Sequence, residues 1–229
     1  HVRVNFPEHP RLTIKYAEVK GIDLPNQEIS LESGETVHYD DLIIGLGCED
    51  KYHNVPGAAD YTCSIQSIEK ARDTYQKLNN LPAGSSVAIV GAGLSGVELA
   101  SELSESRSDL KVQLFDRGDY ILSAFPKRLS VYVQNWFDTN TVEIVNNANI
   151  TRVEEGLLYN HDEPIPVDVV VWTAGIQANK IVRDLPGEHD NMGRAIITPR
   201  HHLPDYENVF ILGDCASLPH APSAQLAEG

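Results

Sequence analysis

The sequence predicts an α/β fold of the doubly wound type, and three observations carry that reading. A short apolar strand, Ser86 to Val90, runs directly through Gly91, Gly93 and Gly96 into a helical pattern. A second strand, Val112 to Phe115, ends in Asp116, twenty residues past Gly96. A third, Thr141 to Val145, follows another amphipathic stretch and completes a strand-helix-strand-helix-strand order.

The glycine stretch has the chemistry of a nucleotide-binding turn. Gly91 lets the backbone turn sharply, Gly93 clears room for a pyrophosphate, and Gly96 lets the helix pack close to the strand. The helix N-terminus then points free amides and the positive end of its dipole at the phosphates. A strand-helix turn that needs small residues for packing alone is the plain alternative. The ordered occurrence of strand, glycines, helix and acid favours the nucleotide reading. Glu98 follows, read here as a first-turn charge that is favourable at a helix N-terminus.

In chain order, Leu12 to Ile22 alternates as a strand, and Ile29, Leu31, Val37 and Tyr39 bracket a Ser33-Gly34 turn, which predicts a hairpin. The run Leu42 to Ile44 ends in Gly45 and Gly47, a strand whose end a ligand or another backbone approaches closely. Ser67 can cap a helix that places Ile68, Ala71, Tyr75 and Leu78 on one face. Asn79 to Gly84 closes that helix and serves as a linker, so a domain boundary is expected near residue 80.

The helix after the glycine turn buries Val97, Leu99, Ala100 and Leu103, and the next, Lys127 to Phe137, turns Leu129, Val133, Trp136 and Phe137 inward. Ile150 to Val153 and Gly156 to Tyr159 form an antiparallel excursion. It returns through Val167 to Val171 into Ala174-Gly175, an echo of Leu42 to Gly47. Pro186-Gly187 marks a second boundary. Val209 to Leu212 is a buried strand leading to Gly213-Asp214, where a carboxylate can accept bonds from sugar or ribityl hydroxyls. Pro219 to Gly229 reads as the start of a helix.

Composition excludes several classes of function. At 229 residues the chain can form one large domain or two small ones. A net charge of -15 argues against nucleic acid and against docking on anionic lipid. No apolar run approaches the roughly 20 residues of a membrane span. The first residues carry neither methionine nor a signal peptide's organisation, and both ends read as cuts into a longer protein. Cys48, Cys63 and Cys215 form no C-x-x-C pair, consistent with reduced cytosolic thiols. The nine histidines show no metal spacing, so no metal site is expected.

Five motifs in order, Tyr39 to Gly47, Gly91 to Leu99, Val169 to Ile176, Gly213-Asp214 and Ala224 to Ala227, resemble those of the two-dinucleotide-fold flavoprotein pyridine nucleotide oxidoreductases. Within that superfamily the chain is most similar to type II NADH dehydrogenase. Gly45-Leu46-Gly47 departs from the family's Ala-Thr-Gly but keeps small residues at both ends. Gly229 stands where the family's Ala-Gln segment has glutamine.

The resemblance implies a Rossmann-like NAD domain, residues 81–183, inserted in a discontinuous and incomplete FAD domain, residues 1–80 and 184–229. The family's N-terminal FAD glycine turn and its C-terminal domain would be missing, so this piece alone would be inactive. It implies FAD and NAD(H) as cofactors and electron flow from NADH through flavin to a quinone, menaquinone or ubiquinone. A ferredoxin, disulfide or oxygen acceptor stays open, as does a non-catalytic NAD-binding redox sensor. Gly91, Gly93, Gly96 and Asp116 would hold NAD, and Asp116 would favour NADH by repelling a 2'-phosphate, although Arg117 beside it could attract one. Gly47, Gly175, Gly213, Asp214, Ala224 and Gln225 would line the flavin side. Glu98 would approach the nicotinamide and flavin as the catalytic candidate. A cytoplasmic protein follows, with peripheral membrane contact and a homodimer interface supplied through the missing C-terminal part.

Overall fold

The computed structural model describes residues 6–217. The expected helix start at Pro219 and the expected contacts Ala224 and Gln225 lie outside the described residues. The chain forms two compact units: Cys48–Gln177, and the described residues up to Gly47 together with those from Ala178 onward.

The central unit is built on a four-stranded parallel sheet in the order Val169–Trp172, Ser86–Val90, Lys111–Phe115, Val142–Val145. The register aligns Trp172, Val90, Phe115 and Val145 at the C-terminal edge. Side chains alternate between the two faces, so Val87, Ile89, Leu114 and Val171 enter one core while Ala88, Val90, Phe115 and Trp172 enter another. Burial on both faces is what the continuous apolar runs demand. The first core is closed by helices: Leu94–Ser106 contributes Val97, Ala100 and Leu103, and Lys127–Thr139 contributes Phe137. The second is closed by an antiparallel sheet of Ile150–Glu154, Leu157–Asn160 and Glu163–Pro166, which supplies Val153 and Leu158. This is the expected antiparallel excursion.

Two helices differ in detail from expectation. Helix Ile68–Asn79 is capped by Ser67 as predicted, with the side chain accepting from the Lys70 amide at 3.2 Å. It buries Thr74 and Leu78, however, while Ile68 and Tyr75 stay exposed. In Lys127–Thr139 the deep positions are Ser130 and Phe137, and Leu129 is partly exposed.

The two compact units divide at Gly47/Cys48, a different place from the domain boundary expected near residue 80. Hydrogen bonds explain the displacement. The Cys63 amide donates to Val170 O at 2.8 Å and Cys63 O accepts from the Trp172 amide at 2.8 Å, which ties this stretch to the edge of the parallel sheet. Arg107 then clamps the stretch that reads as a linker, donating to the carbonyls of Leu78, Asn79 and Leu81 at 2.8, 3.0 and 2.8 Å. On the return, the boundary falls at Gln177/Ala178 and not at Pro186-Gly187.

The outer unit holds the predicted hairpin within a sheet of Val19–Asp23, Glu28–Leu31 and Thr36–His38, with Gly34 at a φ of 85° in its turn. The first strand begins at Val19, and Leu12, Ile14 and Tyr16 lie exposed. Their alternation has no face to bury. A second sheet pairs Tyr206–Ile211 with Leu42–Ile44 in parallel, and Leu42, Ile44, Val209, Ile211 and Cys215 share a core with Val182. Among the described residues no helix is long and apolar enough to cross a membrane.

Candidate functional site

At the C-terminal edge of the central sheet the backbone of the glycine turn is held from several directions. The Gly91 amide donates to Phe115 O at 2.8 Å, and Ala92 O accepts from the Leu122 amide at 2.8 Å. Asp116 accepts from the Ala92 amide through Oδ2 at 2.8 Å and from the Gly118 amide through Oδ1 at 2.7 Å. Thr173 Oγ1 shares its one proton between Gly91 O at 2.8 Å and Val90 O at 3.0 Å. Gly91 has a φ of 106°, a conformation natural only to glycine, and a Cβ there would stand 2.7 Å from the Ala174 backbone. A Cβ on Gly96 would stand 1.9 Å from Gly91 O.

Gly93 is the opposite case. It is exposed, and nothing lies within 4 Å of where its Cβ would be. It is the N-cap of Leu94–Ser106, and no side chain caps that helix. Its leading amides are therefore left to solvent or to a ligand, beside the dipole's positive end. Gly91, Gly93, Gly96 and Asp116 are thus brought together around one turn, as their spacing in the sequence suggests.

Two expected residues are placed differently. Helix Leu94–Ser106 carries no acid in its first turn, because it begins after Gly93 and Glu98 is its fifth residue. Glu98 is exposed there, one turn away from the amides whose charge it was expected to complement. Gly175, at a φ of 135°, does not face open space: a Cβ would stand 2.9 Å from His53 Nε2, and that ring nitrogen bonds Ala174 O at 2.8 Å. The Lys51 amide donates to Gly175 O at 3.0 Å, and the Trp172 indole donates to Lys51 O at 3.0 Å. Behind Trp172, Tyr52 packs at 5.9 Å between ring centroids and donates to the buried Asp50 at 3.3 Å. Lys70 bonds the same carboxylate at 2.9 Å, which holds its ammonium above the usual lysine range.

In the outer unit, Leu42–Ile44 and Tyr206–Ile211 run parallel and end side by side, Ile44 opposite Ile211. Gly45 and Gly47 follow the first and Gly213-Asp214 the second. Gly47 and Gly213 have φ of 63° and 74°, and none of these three glycines has anything within 4 Å of where a Cβ would stand. Open glycines at the C-terminal ends of adjacent parallel strands form the setting in which α/β sheets bind ligands. Ala224 and Gln225 lie outside the described residues.

Sequence reasoning did not single out Thr173, Leu122 or His53. The first stands inside the Trp172 to Gly175 motif. Leu122 takes a φ of 55° that its residue type does not announce. Among the described residues, no group of three or more His, Cys, Asp or Glu side chains is arranged to hold a metal.

Over 228 residues, all of this chain, the sequence is 64% identical to the NADH dehydrogenase-like protein YutJ of Bacillus subtilis, covering 64% of that protein. It is 31% identical over 219 residues to the demethylphylloquinone reductase NdbB of Synechocystis, covering 88% of this chain and 53% of that one. The chain therefore spans between about half and two thirds of the length of these relatives. The solved structure of NDH2 from Plasmodium falciparum in complex with NADH superposes with a TM-score of 0.75 at 17% identity, over 87% of this chain and 49% of that one. The fold is the Rossmann-like α/β fold of these oxidoreductases. A family model for pyridine nucleotide-disulphide oxidoreductase matches residues 8–228, nearly the whole chain, and the chain accordingly belongs to the pyridine nucleotide-disulphide oxidoreductase family.

Proposed function

We propose that the intact protein is an FAD-dependent NADH dehydrogenase that passes electrons from NADH to a quinone. The observation that carries this reading is the central turn: an uncapped helix N-terminus beside an open Gly93, with Asp116 on the adjoining strand end. Identity to a named NADH dehydrogenase-like protein and to a named quinone reductase supports the substrates.

The residues present fit a dinucleotide. The diphosphate would take the leading amides of Leu94–Ser106, which need no side-chain rearrangement to donate. Asp116 would offer its remaining lone pairs to the ribose hydroxyls while it holds the Ala92 and Gly118 amides, and its charge would disfavour a 2'-phosphate. Glu98, exposed on the same helix, is proposed to orient the nicotinamide or relay a proton. Gly47, Gly213 and Asp214 would meet FAD at the outer unit's strand ends, with Ala224 and Gln225 at the flavin edge. Gly175 would act indirectly, by keeping the loop that backs the glycine turn narrow enough to lie under His53. Bound FAD supplies two-electron chemistry toward NADH and toward a quinone. In this reading the NAD domain is residues 81–183, most of which fall in the unit Cys48–Gln177, the protein is cytoplasmic with peripheral membrane contact, and a homodimer is its assembly.

The test is the visible spectrum of the intact protein under anaerobic NADH, followed by a menaquinone analogue. A flavin band bleached by NADH and restored by quinone supports the dehydrogenase. Bleaching that quinone does not reverse moves the acceptor to a ferredoxin, disulfide or oxygen, and absence of flavin sinks the assignment in favour of a binding module.

A further inference from the structure

We infer that Thr173 is a positioning residue for the dinucleotide diphosphate, acting through the Gly91–Ala92 peptide; this rests on the nucleotide reading above. A trans peptide fixes its C=O and N–H in opposite directions, so gripping both ends sets the orientation of the whole plane. The Gly91–Ala92 plane is gripped in this way. Its oxygen accepts from Thr173 Oγ1 at 2.8 Å, and its N–H donates to Asp116 Oδ2 at 2.8 Å. The next peptide is held by its oxygen alone, Ala92 O accepting from the Leu122 amide at 2.8 Å. Its other end is the Gly93 N–H, which trans geometry sets opposite to Ala92 O, on a glycine that is exposed. Two consecutive oriented planes thus aim the first amide donor that the diphosphate would meet.

Three of the holding groups, Phe115 O, Asp116 and the Leu122 amide, lie on or after the neighbouring strand Lys111–Phe115. Thr173 comes from the opposite side, past the end of Val169–Trp172, and its hydroxyl is the group that reaches Gly91 O. Access to that oxygen depends on Gly96. A Cβ on Gly96 would stand 2.8 Å from Thr173 Oγ1 as well as 1.9 Å from Gly91 O. The third glycine therefore admits the threonine hydroxyl to the turn, in addition to letting helix and strand approach.

The threonine is itself held independently of its side chain. Its amide donates to Val90 O at 2.8 Å, and the following residues are tied down by His53 and Lys51. Removing the hydroxyl should leave the loop in place and release one end of the Gly91–Ala92 plane.

The experiment compares Thr173→Val, which keeps the shape and loses the donor, with Thr173→Ser, which keeps the donor. ADP-ribose and adenosine binding to the intact protein are measured by calorimetry, alongside KM and kcat for NADH. Thr173→Val is expected to weaken ADP-ribose and raise the NADH KM about tenfold, the scale of one misplaced hydrogen bond, with kcat within about twofold. Adenosine, which lacks the diphosphate, should bind as before, and Thr173→Ser should restore wild-type values. ADP-ribose binding unchanged in Thr173→Val, or adenosine weakened equally, overturns the proposal. If Thr173→Val does not fold, Thr173→Ala against Thr173→Ser decides on the same readings. Failure of the wild-type protein to bind ADP-ribose would remove the nucleotide reading itself, a result distinct from any difference among variants.

Discussion

Each of the two units ends parallel strands in glycines, yet the glycines are there for different reasons. In the central unit Gly91 and Gly96 are jammed: a Cβ would meet backbone at 2.7 and 1.9 Å. In the outer unit Gly45, Gly47 and Gly213 have nothing within 4 Å of that position. The central glycines are demanded by packing inside the protein, and at Gly47 and Gly213 glycine is demanded by a positive φ alone. One glycine pattern in a sequence can therefore mark a rigid cradle or an open rim. Only the surroundings of the missing Cβ tell them apart.

The largest effect that tests this contrast is Gly96→Ala. Helix propensity alone would make it stabilising by about 1 kcal/mol, since glycine is a poor interior helix residue. Contact at 1.9 Å with Gly91 O reverses the sign. The expected result is a loss of about 3 kcal/mol, the upper part of the range for overpacking against a partner that cannot yield. Gly93→Ala, three residues earlier, faces open space and should cost under about 1 kcal/mol while abolishing most ADP-ribose binding. Urea unfolding of both variants gives the comparison. A stabilised Gly96→Ala would mean that the turn is soft and not jammed.

Asp116→Ala comes next in size. The carboxylate holds the Ala92 and Gly118 amides, so its removal leaves two donors unpaired in a half-buried turn. A loss of about 2 kcal/mol is expected, within the range for hydrogen bonds to a charged group. If Asp116 served the ribose alone, stability would not move and only nucleotide affinity would fall.

The central sheet was legible because its signals are local and repeated: apolar strands, a capping Ser67, a glycine turn and an acid in order. The division of the units at Gly47/Cys48 was not legible. Arg107 lies 26 to 29 residues from the carbonyls it clamps, and nothing in Asn79 to Gly84 announces that grip. Glu98 was placed in the first turn but falls one residue past it, because the helix start depends on where Gly93 leaves extended backbone, at a ψ of -171°. Asp116 was singled out by its spacing from Gly96, but spacing could not show that both its oxygens already hold backbone amides. Thr173 went unnoticed because its partner lies 82 residues away.

On the outer side of the comparison, Gly213→Ala should cost about 1 kcal/mol. Its φ of 74° is strained for any residue with a Cβ, and with no atom nearby there is no clash to add. Gly213→Asn, which tolerates that conformation, should recover part of the loss. A cost as large as that of Gly96→Ala would erase the distinction between cradle and rim.

The smallest effect concerns a carboxylate that does in the outer unit what Asp116 does in the central one. Asp190 Oδ1 accepts from the Met192 and Arg194 amides at 2.9 and 3.0 Å, and Oδ2 from Arg194 Nε at 2.7 Å. Burial pushes its carboxyl up, but those bonds and the guanidinium charge outweigh burial and hold it below the usual carboxylate range. A folded value below the unfolded one gives stability that is complete above about pH 5 and is lost as pH falls through the folded value. The amount is about 1 kcal/mol or less, because the pair retains some solvent access. Asp190→Asn separates the contributions, since an amide oxygen can still accept from both backbone amides while the charge pairing with Arg194 is gone. The melting-temperature gap between wild type and Asp190→Asn should therefore narrow from pH 6 to pH 3. A gap that stays constant from pH 6 to pH 3 would mean that the fold does not hold this carboxyl below its unfolded value, and the outer unit's carboxylate would then hold its turn without help from charge.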